Sequence, residues 1–446
     1  MNLCMSQKIL NKSDLEEYQL RAINYILNKK RCGLGLKPGL GKTICTLTAF
    51  SEIIGKKVKK LLVIAPLTIA KNVWINETDK WSHTRYFRVS ICCGNEKTRL
   101  AGLNAEADIY VINQENVEWM YDQGFSKYGM IVVDESHEFK GHDSYRFNAL
   151  KRFKSIYMVL LSGTPAPSGL IDFWSQQYLI DKGKMFGDTI TGFRNHYFRE
   201  KRNGHGYECI YPKLIMNKLK RNWLFMDSKD YLDLPDKMMI TTPVIIDNYQ
   251  EYKSFEDDFY LKIQEMEITA VNAGVLCNKL LQYCNGAVYD HDRNVIIVHN
   301  NKLDMLDEIM KQHIDENFLV AYNFKSDEDR IKKRFPHAVT MNAKDVNELE
   351  PLWNEGKIKM MLCQCNSGRG LNIQKGGRII IWFGLTFRLD SYIQFNDRLH
   401  RRGQDKPVII YHLVGKDCKD ERVMQIIGHK DLTQEELFKV LKNKDD

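Results

Sequence analysis

The sequence predicts an α/β protein of two tandem domains, each built on a parallel sheet, with a helical, irregular insert in the middle. Three observations lead there. Short, wholly apolar runs of strand length recur through the first half: "LLVI" (61–64), "IYVI" (109–112), "MIVV" (130–133) and "MVLL" (158–161). A second series begins after about residue 275, with "FLVAY" (318–322), "KMMLC" (359–363), "RIIIWF" (378–383) and "VIIYHL" (408–413). Between about 185 and 270 the pattern lapses. Strands without a polar face are buried on both sides, as in sheets covered by crossover helices.

In chain order, residues 1–225 form the first domain, with the insert opening near 180. Residues 226–274 read as a linker and helical segment, "LDLPDK" (232–237) being extended and 249–266 amphipathic. Residues 275–446 form the second domain. Only eighteen residues precede Gln19, so no further domain is expected ahead of the first.

Composition narrows the class. At 43% hydrophobic and 27% charged, the chain is ordinary globular material, neither disordered nor fibrous. The net charge of +8, from 65 basic and 57 acidic residues, suits a nucleic-acid partner without requiring one. No apolar run approaches the roughly 20 residues that span a bilayer, and the N-terminus lacks the pattern of a secretion signal. Eleven scattered cysteines, with no C-x-x-C, point to free thiols in a reducing, cytoplasmic compartment.

The chemistry starts at "GLGLKPGLGKT" (33–43). Gly39 and Gly41 let the backbone curl so that several N–H groups face one anion, and the helix that follows adds its dipole. Lys42 is placed to reach the β- and γ-phosphates of ATP, and Thr43 to ligate Mg²⁺. The strict phosphate-loop pattern wants glycine where this chain has Leu36. "MIVVDESH" (130–137) is a buried strand ending in an acid pair, 92 residues after Lys42. Asp134 is the expected metal ligand, and Glu135 the group that orients and deprotonates the attacking water. Near the end of the second domain, "QFNDRLHRRGQ" (394–404) carries Arg398 and Arg401. Three apart, they share one face of a helix, as a pair of arginine fingers.

With these residues in hand, the chain resembles the Swi/Snf-type superfamily-2 helicase-like ATPases, and the resemblance covers nearly its whole length. It implies two RecA-like lobes with an ATP cleft between them. "LEEYQLRAINYIL" is similar to the family's leading glutamine motif, with Gln19 on the adenine. "GLKPGLGKT" stands at its phosphate loop, where the family also lacks glycine at the place of Leu36. Lys37, Pro38, Gly39, Leu40, Gly41, Lys42 and Thr43 are thereby cofactor-binding, as is Gly370 in the second lobe. "VIAPLTIAKNVWINETDKW" (63–81) looks like the motif that lays a hydroxyl on a DNA phosphate, nominating Thr68 with Lys71. "VINQENV" (111–117) follows with Asn113 and Gln114, and "SGRGLN" (367–372) with Asn372. His137 of "DESHEFK", Ser162 and Thr164 of "LLSGTPAPSGLIDFW" (160–174), and Gln394 are implied to couple ATP to DNA. An ordinary strand-end histidine is the alternative for His137. "GTPAPSGLIDFW", "CNKLLQYCNGAVYD" (277–290) and Phe387-Arg388-Leu389, where remodellers carry W-N-P, look like the compact phage and prophage branch.

The resulting expectation is a nucleic-acid-dependent ATPase using ATP and Mg²⁺, a translocase on duplex DNA gripped through its phosphates. Two alternatives stay open: a strand-separating helicase on DNA or RNA, and a decayed ATPase kept as a nucleic-acid-binding scaffold. The basic stretches "KKVKK" (56–60) and "KLKRNW" (218–223) are further phosphate-contact candidates or plain solvated surface. Trp74 and Trp81 read as core packing.

Overall fold

A computed structural model describes residues 9–201, 206–265, 270–342, 344–365 and 370–441. Ser367, Gly368 and Arg369 of the "SGRGLN" motif lie outside the described residues. The chain divides into two compact units, Met1–Leu232 with Leu432–Asp446, and Asp233–Asp431. Among the described residues no helix is long and apolar enough to cross a membrane.

The first unit is α/β. Its strands are β1 (Arg31–Leu36), β2 (Leu61–Ala65), β3 (Val89–Ile91), β4 (Ile109–Asn113), β5 (Met130–Asp134), β6 (Tyr157–Ser162), the hairpin β7 (Phe198–Glu200) and β8 (Tyr207–Cys209), and β9 (Trp223–Met226). All but the hairpin form one seven-stranded sheet, in the order β3-β4-β2-β5-β6-β1-β9, and every pairing in it is parallel. The period-2 alternation of a strand assigns each side chain to one of two cores. Ile131 and Val133 of β5 face one core and Met130 and Val132 the other, all without solvent exposure. That explains the unbroken apolar runs.

β1 departs from this pattern for a packing reason. Cys32, Leu34 and Leu36 fill one core, but the alternate positions are Gly33 and Gly35. A Cβ on Gly33 would lie 2.2 Å from the Trp223 ring, and one on Gly35 2.4 Å from the Phe225 ring. These two stacked rings, 5.8 Å apart, lie directly on the strand that carries the phosphate loop. Leu36 is fully buried as the last residue of β1, so its side chain belongs to the core.

The second unit holds β10 (Lys237–Val244), the antiparallel hairpin β11 (Ala287–Tyr289) and β12 (Val295–Ile297), β13 (Phe318–Tyr322), β14 (Val339–Thr340), β15 (Met360–Gln364), β16 (Ile379–Trp382) and β17 (Val408–Gly415). Its six-stranded sheet runs β10-β17-β16-β13-β15-β14, again parallel throughout. Two doubly covered parallel sheets are the expected fold class. A buried polar knot braces this unit. The Lys302 ammonium, with no solvent exposure, pairs with Asp420 at 2.6 Å and donates to Asn285 Oδ1 and the Phe383 carbonyl.

The lapse in the sequence pattern at 185–270 hides two sheet strands. β9 is only four residues long, and β10 is an edge strand left mostly exposed, so neither shows a long apolar run. The remainder includes the helices Ile190–Tyr197 and Pro212–Leu219, the β7–β8 hairpin, and the helix Tyr249–Glu265.

Candidate nucleotide site

The phosphate loop follows β1 and opens the helix Lys42–Ile53. Gly39 and Gly41 both take positive φ, +86° and +76°, which glycine adopts without a Cβ penalty. Gly41 also leaves room for Gln19, since a Cβ there would meet Gln19 Nε2 at 2.4 Å. Gln19 sits on the helix Glu17–Lys29. Its Oε1 accepts from the Glu16 N–H and its Nε2 reaches the Leu40 carbonyl, at 3.0 and 3.5 Å. Lys37, Pro38, Lys42 and Thr43 are half-buried and Leu40 is buried. The Lys42 ammonium donates to the Leu36 carbonyl at 2.8 Å, folded back across the loop.

Two strands away, β5 ends in Asp134, with β6 between it and β1. Asp134 is buried and held by three groups. Its Oδ2 accepts from Trp74 Nε1 at 3.1 Å, its Oδ1 from the Glu135 N–H at 3.0 Å, and its carbonyl from Gln114 Nε2 at 2.8 Å. Burial, then the adjacent Glu135 charge, pushes its carboxyl up to about 6, against the pull of Lys42 and the Trp74 donor. Asp134 and Thr43, whose hydroxyl makes no hydrogen bond among the described residues, are hard oxygen donors of the kind Mg²⁺ takes.

Glu135 turns the chain sharply. Its backbone is left-handed (φ +50°, ψ +52°), which costs a non-glycine residue about 1–2 kcal/mol. The turn sets Glu135 Oε2 in a buried position where it accepts no hydrogen bond among the described residues, 3.4 Å from His137 Nδ1. His137 Nδ1 is also 3.0 Å from Ser162 Oγ, and that oxygen accepts from the Thr164 N–H at 3.1 Å. Next along the chain, Gly163 packs on the loop, since a Cβ there would lie 3.1 Å from Pro38 Cδ. One continuous path thus runs from the acid pair through His137 and Ser162 to the phosphate loop.

Sequence reasoning missed two members of this site. Trp74, fully buried, is a hydrogen-bond donor to Asp134 as well as core. Gln176, on the helix Phe173–Asp181, accepts from Ser136 Oγ at 2.8 Å and donates to the Pro165 carbonyl at 2.6 Å, tying the acidic box to the segment after β6. A tryptophan eleven residues into an apolar-looking motif and a glutamine on an apolar helix carry no spacing signal. Gln114 is itself 2% exposed, with its amide spent on β5. Asn113 is also buried, and Nδ2 donates to Glu115. Thr68 and Lys71 stand at the start of the helix Leu67–Lys80, half-buried and exposed.

In the second unit, the expected helical pair takes a different form. The helix Leu389–Asn396, which carries half-buried Gln394, stops before either arginine, and its last residue, Asn396, accepts from Trp382 Nε1 at 2.9 Å. Arg398 and Arg401 lie in the turns beyond it. They converge even so, since both Nη1 atoms donate to the Leu371 carbonyl, at 3.3 and 3.2 Å. Gly370 beside it has φ +84°. The Asn372 N–H donates to Glu350 at 3.0 Å, and its side chain is half-buried.

A glycine-rich loop with a lysine after one strand, and an acid pair closing the next strand but one of the same parallel sheet, define a phosphate-loop nucleoside triphosphatase. The comparisons give the family. The model of the SNF2-related domain matches residues 18–287. The putative protein p41 of Acyrthosiphon pisum secondary endosymbiont phage 1 is 32% identical, over 96% of this chain and 98% of that one. The ISWI chromatin-remodeling complex ATPase ISW2 of Saccharomyces cerevisiae is 24% identical over 95% of this chain, which spans 41% of that relative. A solved structure, the Sulfolobus solfataricus SWI2/SNF2 ATPase core in complex with dsDNA, is 19% identical with a TM-score of 0.47, covering 98% of this chain and 95% of that one. The chain belongs to the SNF2-related family, and with that membership it is an ATP hydrolase of the nucleic-acid-dependent class.

Proposed function

We propose that this protein is a motor that hydrolyses ATP to move along duplex DNA, acting in phage or prophage DNA metabolism. The observation that carries the reading is the buried Glu135 Oε2 beside Asp134, without a hydrogen bond among the described residues and 3.4 Å from His137 Nδ1, on a sheet whose next strand but one opens on Lys42. A buried carboxylate oxygen left without a hydrogen bond is a base kept for a water. Lys42 leaves the Leu36 carbonyl to hold the β- and γ-phosphates. Thr43 and Asp134 hold Mg²⁺, which offsets phosphate charge when bound. Glu135 aligns the attacking water and takes its proton, and Arg398 and Arg401 stabilise the charge of the transition state. His137 and Ser162 pass the state of the acid pair to the segment that ends at Thr164. Thr68, Lys71 and Asn372 grip DNA phosphates, which gives little base preference.

Support for DNA comes from the family, and support for a phage setting from the phage relative, which matches along nearly its whole length. The test is ATPase activity against duplex DNA, single-stranded DNA and RNA. Stimulation by duplex DNA above the other two is expected. Stimulation by single strands alone favours a strand-separating enzyme, and no turnover with any of them favours a scaffold.

A further inference from the structure

Charge is unevenly spread over this chain. Residues 190–222 carry eight Lys and Arg against two Asp and Glu, a net +6 of the chain's +8, and none of the motif residues falls among them. Among the described residues, the stretch folds as the helix Ile190–Tyr197, the β7–β8 hairpin and the helix Pro212–Leu219. Part of its apolar surface faces inward. Phe193, Tyr197, Ile215 and Leu219 are buried, and the Phe193 ring packs on Phe186 and Phe198 at 4.9 and 5.3 Å.

The cations are therefore left outside. Ile215 and Leu219, four apart, define the buried face of the second helix, and Lys213 and Lys220 fall on the opposite one. Lys213 and Arg221 are exposed and Lys220 half-buried, and none of the three makes an ion pair among the described residues. Some exposed lysines elsewhere on the chain sit beside acids, and others, such as Lys56, Lys57 and Lys59, make no ion pair among the described residues. Lys253 pairs with Glu256 and Asp257, and Lys325 with Glu328 and Asp329. Within the stretch Arg199 pairs with Glu208, but no acid pairs with Lys213, Lys220 or Arg221 among the described residues, and exposed Leu214 stands between Lys213 and Lys220. Lys213 and Lys220 are about 10 Å apart along a helix axis, a distance over which duplex DNA presents about six phosphate charges.

We propose that this surface of the first unit is a second contact for the phosphate backbone of duplex DNA, additional to the grip of the motif residues. It holds flanking duplex while the motif residues release and rebind. The proposal rests on the DNA-motor reading.

The test uses the full chain with Lys213→Gln, Lys220→Gln and Arg221→Gln combined. Duplex affinity is measured against salt, alongside ATPase activity against duplex concentration. The salt slope is expected to become shallower by up to about 2.7, at about 0.9 per lost contact. Half-maximal stimulation should need about tenfold more duplex, with turnover at saturating DNA unchanged and the melting temperature retained. A variant with Lys213→Arg and Lys220→Arg should keep the wild-type slope. An unchanged slope in the triple Gln variant overturns the proposal. A wild-type ATPase that duplex DNA fails to stimulate sinks the motor reading instead, and the binding slope still judges the surface.

Discussion

Trp74→Phe removes an indole N–H donor, and some ring volume with it, from the centre of the site. The indole Nε1 donates to Asp134 Oδ2 at 3.1 Å, and phenylalanine keeps an aromatic filler while deleting that donor. Asp134 already has a carboxyl raised to about 6, so it ionises late, and the Trp74 bond is one of the groups that hold it down. A hydrogen bond to a charged group contributes about 1.5–3 kcal/mol, and one pKa unit corresponds to about 1.36 kcal/mol. Losing it raises the carboxyl by about one to two units. The sign follows directly. Mg²⁺ needs the carboxylate, which forms only above the carboxyl's pKa, so activity falls as pH drops through that value. The acid limb of the ATPase pH profile, near pH 6 in the wild type, should move to about 7–8 in the variant. At pH 7 the Mg²⁺ concentration for half-maximal rate should rise about two- to tenfold, and excess Mg²⁺ should restore the rate. At higher pH the two proteins should converge, which separates this effect from a loss of packing. A variant with an unmoved acid limb and an unchanged Mg²⁺ requirement would refute the reasoning.

Other perturbations divide the labour of the chain. Lys42→Ala should abolish turnover and weaken nucleotide binding, whereas Arg401→Ala should spare binding and lower kcat by about 10³ or more. Nucleotide titrations beside steady-state rates check this, and wild-type turnover by Arg401→Ala would exclude it from the reaction. Lys302→Ala leaves Asp420 buried without its partner, with Oδ1 already lacking a hydrogen bond. Unfolding of the second unit in urea should lose about 3–5 kcal/mol. Cutting the exposed Lys12–Glu52 pair should cost no more than about 1 kcal/mol.

The legible part of this protein is the part whose physics is local. Buried parallel strands write themselves as apolar runs, and the loop from Gly39 to Thr43 and the Asp134–Glu135 pair are contiguous in sequence. β9 and β10 were illegible because one is short and the other sits at an edge with its side chains in solvent. The roles of Trp74 and Gln176 depend on contacts 60 and 40 residues away along the chain, which no spacing rule encodes. Arg398 and Arg401 show the converse. Their spacing suggested a helix face, but the structure brings them together in turns, on the Leu371 carbonyl. Leu36, where the strict pattern wants glycine, was already matched by the family resemblance, and the structure adds the physical reason, a side chain that ends β1 inside the core.

The measurement that bears most directly on the central claim is displacement of a triplex-forming third strand from duplex DNA, run beside unwinding of a forked duplex with the same enzyme stock. Opening a base-pair step costs about 1.4 kcal/mol, and a motor that follows intact duplex has no need to spend it. The account predicts ATP-dependent displacement of the third strand, little unwinding of the fork, and loss of displacement in Glu135→Gln, which keeps the fold but lacks the base. Efficient unwinding of the fork without displacement of the third strand would contradict it.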